Sequence, residues 1–188
     1  MLGRRWAWLV PLAVSLAGCG GGDDDDDSAS ATSGLAGVYE TVSDDYYQPC
    51  DGEPANTGNE PPYFRIVDDS FLGAPFVNVY RCTSGDAASC EDENTGVPFI
   101  FAASKASNGT FHAESSSRTG TETDCTASFD TADIKKTADG VTLTSEEHSE
   151  GWSGADCSSD FTDVVVEKTK HLPCFQREVR GGKLLAAD

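Results

Sequence analysis

The side chains that could do chemistry are scattered along this 188-residue chain. None of the three histidines, His112, His148 and His171, has a second histidine at the i+4 spacing of a helix or the i+2 spacing of a strand that zinc sites use. Ser153 lies in a Gly-Trp-Ser-Gly sequence. It lacks the final glycine and the strand-turn-helix context of a nucleophile elbow. Both patterns predict ordinary surface or turn positions and no catalytic site.

Acidic residues are the most numerous candidates. Adjacent pairs occur at Asp44-Asp45, Asp68-Asp69 and Glu146-Glu147. Acid-base catalysis needs one buried carboxyl with a raised pKa, and no sequence feature marks these pairs as buried, so we expect solvated turns. Residues 92–96, Asp-Glu-Asn-Thr-Gly, resemble the start of a calcium loop, but the glycine comes one position early and the closing glutamate is missing. We predict no enzymatic activity, no metal site and no cofactor.

The amino-terminal segment is typical of an exported protein. Two arginines precede an apolar run over residues 6–16, as in a secretory signal. The sequence Leu16-Ala17-Gly18-Cys19 resembles the lipobox of bacterial lipoproteins. This resemblance implies that residues 1–18 are removed and that Cys19 carries a diacylglycerol and a fatty acid such as palmitate. Gly20 follows, where an inner-membrane retention signal would have aspartate, so we expect an outer-membrane anchor and a periplasmic or surface-exposed domain.

The six other cysteines also indicate an oxidising compartment. An even number in an exported domain predicts three disulfides, and the absence of a Cys-x-x-Cys sequence argues against a redox motif. Cys82 and Cys90 flank a short polar loop, which favours a local bridge. A hairpin turn near residue 139 would bring Cys125 within reach of Cys157, and Cys50 would then pair with Cys174.

Composition predicts one folded domain on a charged tether. Residues 19–34 combine three glycines with a run of five aspartates, so we expect a solvated and extended segment. Residues 35–188 have the length of a single domain. The chain has 32 acidic against 13 basic residues and a net charge of −19. Such a charge argues against nucleic-acid binding and favours cationic partners such as a basic protein, a polyamine or a divalent metal.

Short β-type runs dominate this domain and are separated by turn residues. We predict strands at 37–42, 63–67, 76–82, 97–103, 110–115, 126–135, 141–147 and 162–170. The sequences Asn108-Gly109 and Asp139-Gly140 predict hairpin turns. About eight strands joined by short turns favour an antiparallel up-and-down β-barrel, with a two-sheet β-sandwich as the alternative.

Three fragments resemble the lipocalin family. Gly37-Val38-Tyr39 is similar to its Gly-x-Trp motif, with tyrosine in place of tryptophan. Thr162-Asp163-Val164 is similar to part of its Thr-Asp-Tyr motif, and Arg177 or Arg180 could be the arginine that packs over the first motif. The resemblance implies an eight-stranded barrel that holds a small apolar ligand.

Aromatic side chains could line the mouth of such a barrel, form an exposed patch or fill the core. They are Tyr46, Tyr47, Tyr63, Phe64, Phe71, Phe99, Phe101 and Trp152.

The sequence therefore predicts a lipid-anchored, non-enzymatic binding module of the cell envelope, without identifying its ligand. One alternative is an interaction or inhibitor lipoprotein that acts through its acidic surface on a cationic protein. Another is a lipocalin-like carrier of a small apolar molecule. The two alternatives differ in whether the inward-facing positions of the barrel are small and apolar.

Overall fold

A computed structural model describes residues 33–58, 61–93, 96–121, 123–153, 157 and 170–188. These residues form nine β-strands and one short 3₁₀ turn at Ala87–Ser89. The strands are β1 (Gly37–Tyr47), β2 (Ala55–Asn56), β3 (Tyr63–Phe71), β4 (Ala74–Cys82), β5 (Ile100–Lys105), β6 (Phe111–Gly120), β7 (Asp124–Lys136), β8 (Gly140–Ser153) and β9 (Gln176–Ala187). Among the described residues, no helix is long and apolar enough to cross a membrane.

Eight of the strands close into an antiparallel barrel. From β3 onward each strand pairs with the next along the chain, β1 pairs with β3 on one side, and β9 returns to pair with β1. The two-residue strand β2 extends the sheet beside the end of β1. The predicted up-and-down barrel is therefore confirmed, and the β-sandwich alternative is wrong.

The strand predictions succeeded where side chains alternate and failed at the end of the chain. Seven predicted runs overlap β1 and β3–β8. The eighth, 162–170, lies outside the described residues except for Lys170, which is in a turn. The strand that closes the barrel is β9, which the sequence analysis missed. Its inward positions are Gln176, Glu178, Arg180 and Gly182, and these lack the alternation of apolar residues that marks a strand.

Strand β5 begins at Ile100, three residues later than predicted, and its pairing with β4 is irregular. Ala102 has a positive φ of 54°, and its N–H donates to the side-chain oxygen of Asn78 at 2.8 Å. The Asn78 side chain thus accepts from a backbone N–H that has no partner in the β4–β5 hydrogen-bond ladder, as expected at a β-bulge.

The barrel has two different ends. We call the end with the three hairpin turns, at 72–73, 107–109 and 137–139, the floor, and the opposite end, where β1 and β4 finish and β9 begins, the mouth. Apolar side chains fill the interior on the floor side. They are Leu35, Tyr39, Phe64, Ile66, Val77, Val79, Ile100, Ala103, Phe111, Ile134, Val141 and Leu143. Dense packing of this kind leaves the mouth as the part of the interior that can take a ligand.

Three disulfides lie at or near the mouth, and their pairing matches the prediction. Cys50 after β1 bonds to Cys174 before β9. Cys82 at the end of β4 bonds to Cys90, and Cys125 at the start of β7 bonds to Cys157. Each bond restricts loops that connect strands at the mouth, so the chain there is held in place more firmly than hydrogen bonds alone would allow.

Gly182 on β9 is required by the packing of the core. A Cβ at this position would lie 2.4 Å from Cζ of the fully buried Phe64. We therefore expect Gly182→Ala to lower the free energy of unfolding by about 1–3 kcal/mol, because the surrounding side chains cannot move aside. Urea unfolding measures this change.

Gly151→Ala on β8 is the matched control, since a Cβ there meets nothing within 4 Å. Its stability should stay the same or rise by up to about 1 kcal/mol through the unfolded state. Equal losses in the two variants would contradict the packing argument.

Candidate functional site

A column of aromatic rings leads from the floor to the mouth. The ring of Tyr39 stacks on Phe64 with centroids 5.2 Å apart, and Phe64 meets Phe99 edge-on at 6.4 Å. The guanidinium groups of Arg81 and Arg180 lie 5.1 and 5.5 Å from the centroid of Phe99. Both distances suit cation–π attraction. Phe99 is therefore the boundary between the apolar core and a charged mouth.

Directly above this boundary lies a charge cluster of Asp44 and Arg180, which are buried, and Glu178, which is half-buried. Nη2 of Arg180 donates to Oδ2 of Asp44 at 3.3 Å and also donates to Glu178. The hydroxyl of Thr57 donates to the same oxygen of Asp44. Asp44 is 1% exposed and Arg180 is 7% exposed. Burial of these charges is tolerable because each has a partner of the opposite sign.

The strand register explains why these three residues meet. Asp44 on β1 pairs directly with Arg180 on β9. Glu178 lies two residues before Arg180, and residues at i and i+2 of a strand share one face. The closing of β9 on β1 thus brings together groups that are 136 positions apart in sequence.

One carboxylate oxygen of the cluster lacks a hydrogen-bond donor. Oδ1 of Asp44 is fully buried, and no hydrogen-bond donor within the described parts of the chain reaches it. A buried carboxylate oxygen without a donor is costly, because it has lost its water and gained nothing in return. This oxygen belongs to a residue that lines a large cavity at the mouth.

That space is a cavity of about 780 Å³. Its lining includes the charge cluster, while Arg81 and Glu91 also line it and Pro61 and Pro62 form an apolar wall. A cavity of this size is in the range that holds a small molecule, and a few polar groups among apolar walls are typical of a binding site.

A smaller cavity of about 130 Å³ also has Glu178 in its lining. Its lining includes Glu147 and Asp130. The hydroxyl of Tyr46 donates to Oε1 of Gln176 at 2.5 Å, and Nε2 of Gln176 donates to Oε2 of Glu147 at 2.6 Å. Carboxylates therefore continue from the first cavity into the second along the inner face of β7–β9.

Two carboxyl groups at the mouth have raised pKa values. Burial, together with the neighbouring Asp44 carboxylate, raises the pKa of Glu178. Burial and the charge of Glu147 raise the pKa of Asp130. Each carboxyl is harder to ionise here than in water because it is partly desolvated and another carboxylate is close.

We found no match to this chain among protein families, curated proteins or solved structures.

The raised pKa of Asp130 has a measurable consequence. Its folded-state pKa lies above the unfolded value, so its contribution to stability is present below the unfolded pKa and is lost as pH rises through the folded pKa. We expect Asp130→Asn to be at least as stable as the parent at pH 7, with the difference vanishing toward pH 3. Urea unfolding between pH 3 and 8 tests this. Asp124→Asn, an exposed change on the same strand, should leave the profile unchanged.

A second large cavity, of about 910 Å³, lies at the floor between Gly34 and the β7–β8 turn. Three of its charged groups already have partners. Nζ of Lys136 donates to the carbonyl of Gly34 at 2.8 Å, the Asp68 carboxylate accepts from the N–H of Ser33, and Asp188 pairs with Arg65. We therefore consider the mouth, and not the floor, as the candidate ligand site.

The histidines do not converge on a site. His112 lies on β6 with Nδ1 2.8 Å from Asp133, and hydrogen bonding to Asp133 is the main cause of its raised pKa. His148 on β8 contacts the Phe129 ring and the carbonyl of Leu172, and His171 lies in a turn.

One set of metal-type ligand atoms in the structure and two further candidates from the sequence also provide no reactive group among the described residues. His148 forms one possible ligand set with Glu146 and Cys174, but the sulfur of Cys174 is in a disulfide and is not available as a thiolate. Ser153 is exposed at the end of β8. In the acidic loop, Asn94 and Thr95 lie outside the described residues, and Glu93 pairs with Arg65 at 2.6 Å.

Two predictions about charged residues are wrong. All three acidic pairs were expected in solvated turns, yet Asp44-Asp45 lies in β1, Asp68-Asp69 in β3 and Glu146-Glu147 in β8. Asp44 is also buried, because its side chain points into the barrel. Neither arginine takes the lipocalin position over Tyr39. Arg180 lies over Phe99, and Arg177 lies over Tyr47 with its guanidinium carbon 4.5 Å from the ring centroid. The Thr162-Asp163-Val164 fragment lies outside the described residues.

The aromatic residues divide among all three expected roles. Phe64 is core, Phe99 is the boundary of the mouth, and Phe71 and Phe101 are exposed. The Trp152 side chain is outside the described part of the structure. Sequence reasoning missed Glu178 and named Arg180 only for the lipocalin position, because their partner Asp44 is distant in sequence. The available signal was their i, i+2 spacing, which would have been informative only if β9 had been recognised as a strand.

Proposed function

We propose that this protein is a lipid-anchored, non-enzymatic binding module of the bacterial cell envelope, and that its ligand site is the mouth of the barrel. The observation that carries the proposal is the cavity of about 780 Å³ with a charge cluster at its base. Disulfides near the mouth support it, since a site that is already rigid loses less conformational entropy when a ligand binds.

The lining of the barrel favours a polar ligand over an apolar one. Large apolar side chains already occupy the interior on the floor side. The inward positions at the mouth carry charges at Asp44, Glu178 and Arg180. An apolar molecule there would remove water from these groups without offering hydrogen bonds, which is unfavourable. We therefore favour a receptor for a polar ligand over a lipocalin-like carrier of an apolar molecule.

Native mass spectrometry of the full chain, released from its own membranes in its oxidised form, tests the proposal. We expect an extra mass that is lost on mild activation. Thr83→Trp should abolish it, because Thr83 lines the mouth cavity and an indole would occupy that space. Thr137→Trp places the same ring in the floor cavity and should retain the mass. Loss in the floor variant alone, or no bound mass in the parent, would overturn the proposal.

The anchor is proposed from the lipobox, and the fold supports an orientation for it. The described chain begins at Ser33 and Gly34, which contact Asp68 and Lys136 on the floor. A lipid on Cys19 would therefore join the barrel at its floor, and the mouth would be directed away from the point of attachment. The tether and its negative charge would hold the domain off an anionic membrane surface.

We expect Cys19→Ser to abolish both incorporation of labelled palmitate and sedimentation with membranes, since stable anchoring requires two or more acyl chains. Cys82→Ser/Cys90→Ser, which removes a disulfide and leaves Cys19 in place, should retain the label. Palmitate incorporation in the Cys19→Ser chain would disprove the assignment of this residue.

A second candidate function, interaction with another protein, is supported by the β3–β4 hairpin. Phe71 is 70% exposed, and Leu72 is 92% exposed and has a positive φ of 52°. This conformation favours asparagine or glycine, so an exposed leucine there indicates a contact role. Leu72→Asn should stabilise the turn and weaken salt-sensitive capture of a basic partner, while Leu185→Asn should not. Equal capture by the two variants would count against this role.

A further inference from the structure

We infer that the mouth binds a linear aliphatic diamine or polyamine, whose ammonium groups are held by the inward-facing carboxylates of β1, β8 and β9. This inference rests on the proposed function, because it names the ligand class for that same site. It is carried by the excess of carboxylates over cations in two cavities that share Glu178 and by the unpartnered oxygen of Asp44.

The balance of charge at the mouth is negative. Asp44, Glu178, Glu147 and Asp130 line the two cavities. Arg180 contacts two of these carboxylates, so it cannot neutralise the others as well. Arg81 lies over Phe99 and forms no ion pair with any described residue. A cationic ligand would supply the missing positive charge, and the net charge of −19 would attract it from solution.

Oδ1 of Asp44 indicates what kind of donor is missing. It is buried, it belongs to a residue that lines the larger cavity, and no donor from the described residues satisfies it. A primary ammonium carries three N–H donors on a compact head. It could therefore donate to Oδ1 of Asp44 and still reach the carboxylate of Glu178. Hydrogen bonds between ionised groups are about twice as strong as those between neutral ones.

The spread of the carboxylates argues against a single metal ion. Calcium and magnesium need several oxygens within about 2.0–2.6 Å of one point. In the described part of the chain, the one set of three metal-type ligand atoms close to one another is Glu146, His148 and Cys174, which does not include the mouth cluster. The mouth carboxylates lie instead at successive inward positions of adjacent strands. An extended cation with separated charges fits this arrangement better than a single ion does.

The strand register gives the spacing of that succession. Glu178 and Gln176 occupy successive inward positions of β9, about 7 Å apart along the strand, and Glu147 pairs directly with Gln176. Arg180 is the next inward position of β9 on the other side of Glu178, and Asp44 lies beside it because the two residues pair. A four-carbon spacer separates the two amines of putrescine by about the distance between two successive inward positions. Its methylene groups could lie against Pro61 and Pro62, which wall the larger cavity.

Isothermal titration calorimetry of the full oxidised chain with putrescine and spermidine tests the inference. We expect binding that weakens with added salt. n-Butylamine, with one ammonium, should bind about tenfold more weakly than putrescine, because one charge-assisted hydrogen-bond group is lost. Glu178→Gln and Glu147→Gln should each weaken putrescine binding about tenfold. Asp133→Asn removes a charge from the outer face and should change the affinity less than about twofold.

The possible outcomes distinguish an error in the ligand class from an error in the location of the site. Equal weakening by Asp133→Asn and the mouth variants would indicate non-specific attraction to an acidic surface and would overturn the inference. Competition by calcium or magnesium at equal concentration would assign a metal site instead.

Failure of every amine to bind would mean that the buried oxygen of Asp44 does not accept from an ammonium group. The amine class would then be wrong. The proposed function would still stand if a bound mass is lost in Thr83→Trp, and both would fall if no mass is seen.

Discussion

Replacing Arg180 by methionine should lower the free energy of unfolding by about 3–5 kcal/mol. The variant keeps the volume of the side chain but leaves Asp44, which is 1% exposed, as a buried charge without its cation. It also removes a guanidinium that lies over Phe99. Urea unfolding of the oxidised chain at pH 7 measures the loss.

Two further variants identify the cause of that loss. The double variant Asp44→Leu/Arg180→Met removes both charges and should recover most of the lost stability, because an apolar pair needs no hydrogen bonds. Arg177→Met changes the neighbouring arginine of β9 that stacks on Tyr47, and it should lose about 1 kcal/mol at most. A double variant less stable than Arg180→Met alone would contradict the view that an unpaired carboxylate is responsible.

Removing the Cys50–Cys174 disulfide should produce the second large effect. This bond closes a loop with a sequence separation of 124 residues, which the chain-entropy relation values at about 5 kcal/mol. The Cys82–Cys90 bond spans a separation of 8 and is worth about 2.5 kcal/mol by the same relation. We expect Cys50→Ser/Cys174→Ser to lose about twice as much stability as Cys82→Ser/Cys90→Ser.

The ratio of the two losses in unfolding free energy is a more stringent test than either loss alone, because both variants replace two cysteines by serines. Urea unfolding of both proteins under identical oxidising conditions gives the ratio. A greater loss from the short loop than from the long one would show that strain or local contacts, and not loop length, determine the contribution of these bonds.

Much of the fold could be predicted from the sequence because β-strands with one buried face alternate in polarity. On β4, Val77 and Val79 point into the core, and on β8 Val141 and Leu143 do the same. The hairpin around residue 139 was recognised from Asp139-Gly140, and its register places Cys125 opposite Trp152, close enough to explain the bond to Cys157. Local signals of this kind depend on residues near one another in sequence.

The site could not be predicted because its residues have no such local signal. Asp44 is adjacent to Asp45 in sequence, and nothing in that pair shows that one side chain points inward and the other does not. Glu178 and Arg180 belong to a strand whose inward face is polar, so the rule that separates core from surface gives the wrong answer there. The charge cluster exists only after β9 has paired with β1.

Because β1 pairs with β9, the order of neighbouring strands around the closed barrel does not depend on which strand begins the chain. Gly37 pairs with Ala187, so the two described ends of the barrel meet side by side at the floor. A circular permutant that joins Asp188 to Leu35 through a short linker and opens the chain at Asn108-Gly109 would preserve every strand of the barrel. Its new ends would also lie at the floor, and the ligand cavity would be unchanged at the other end.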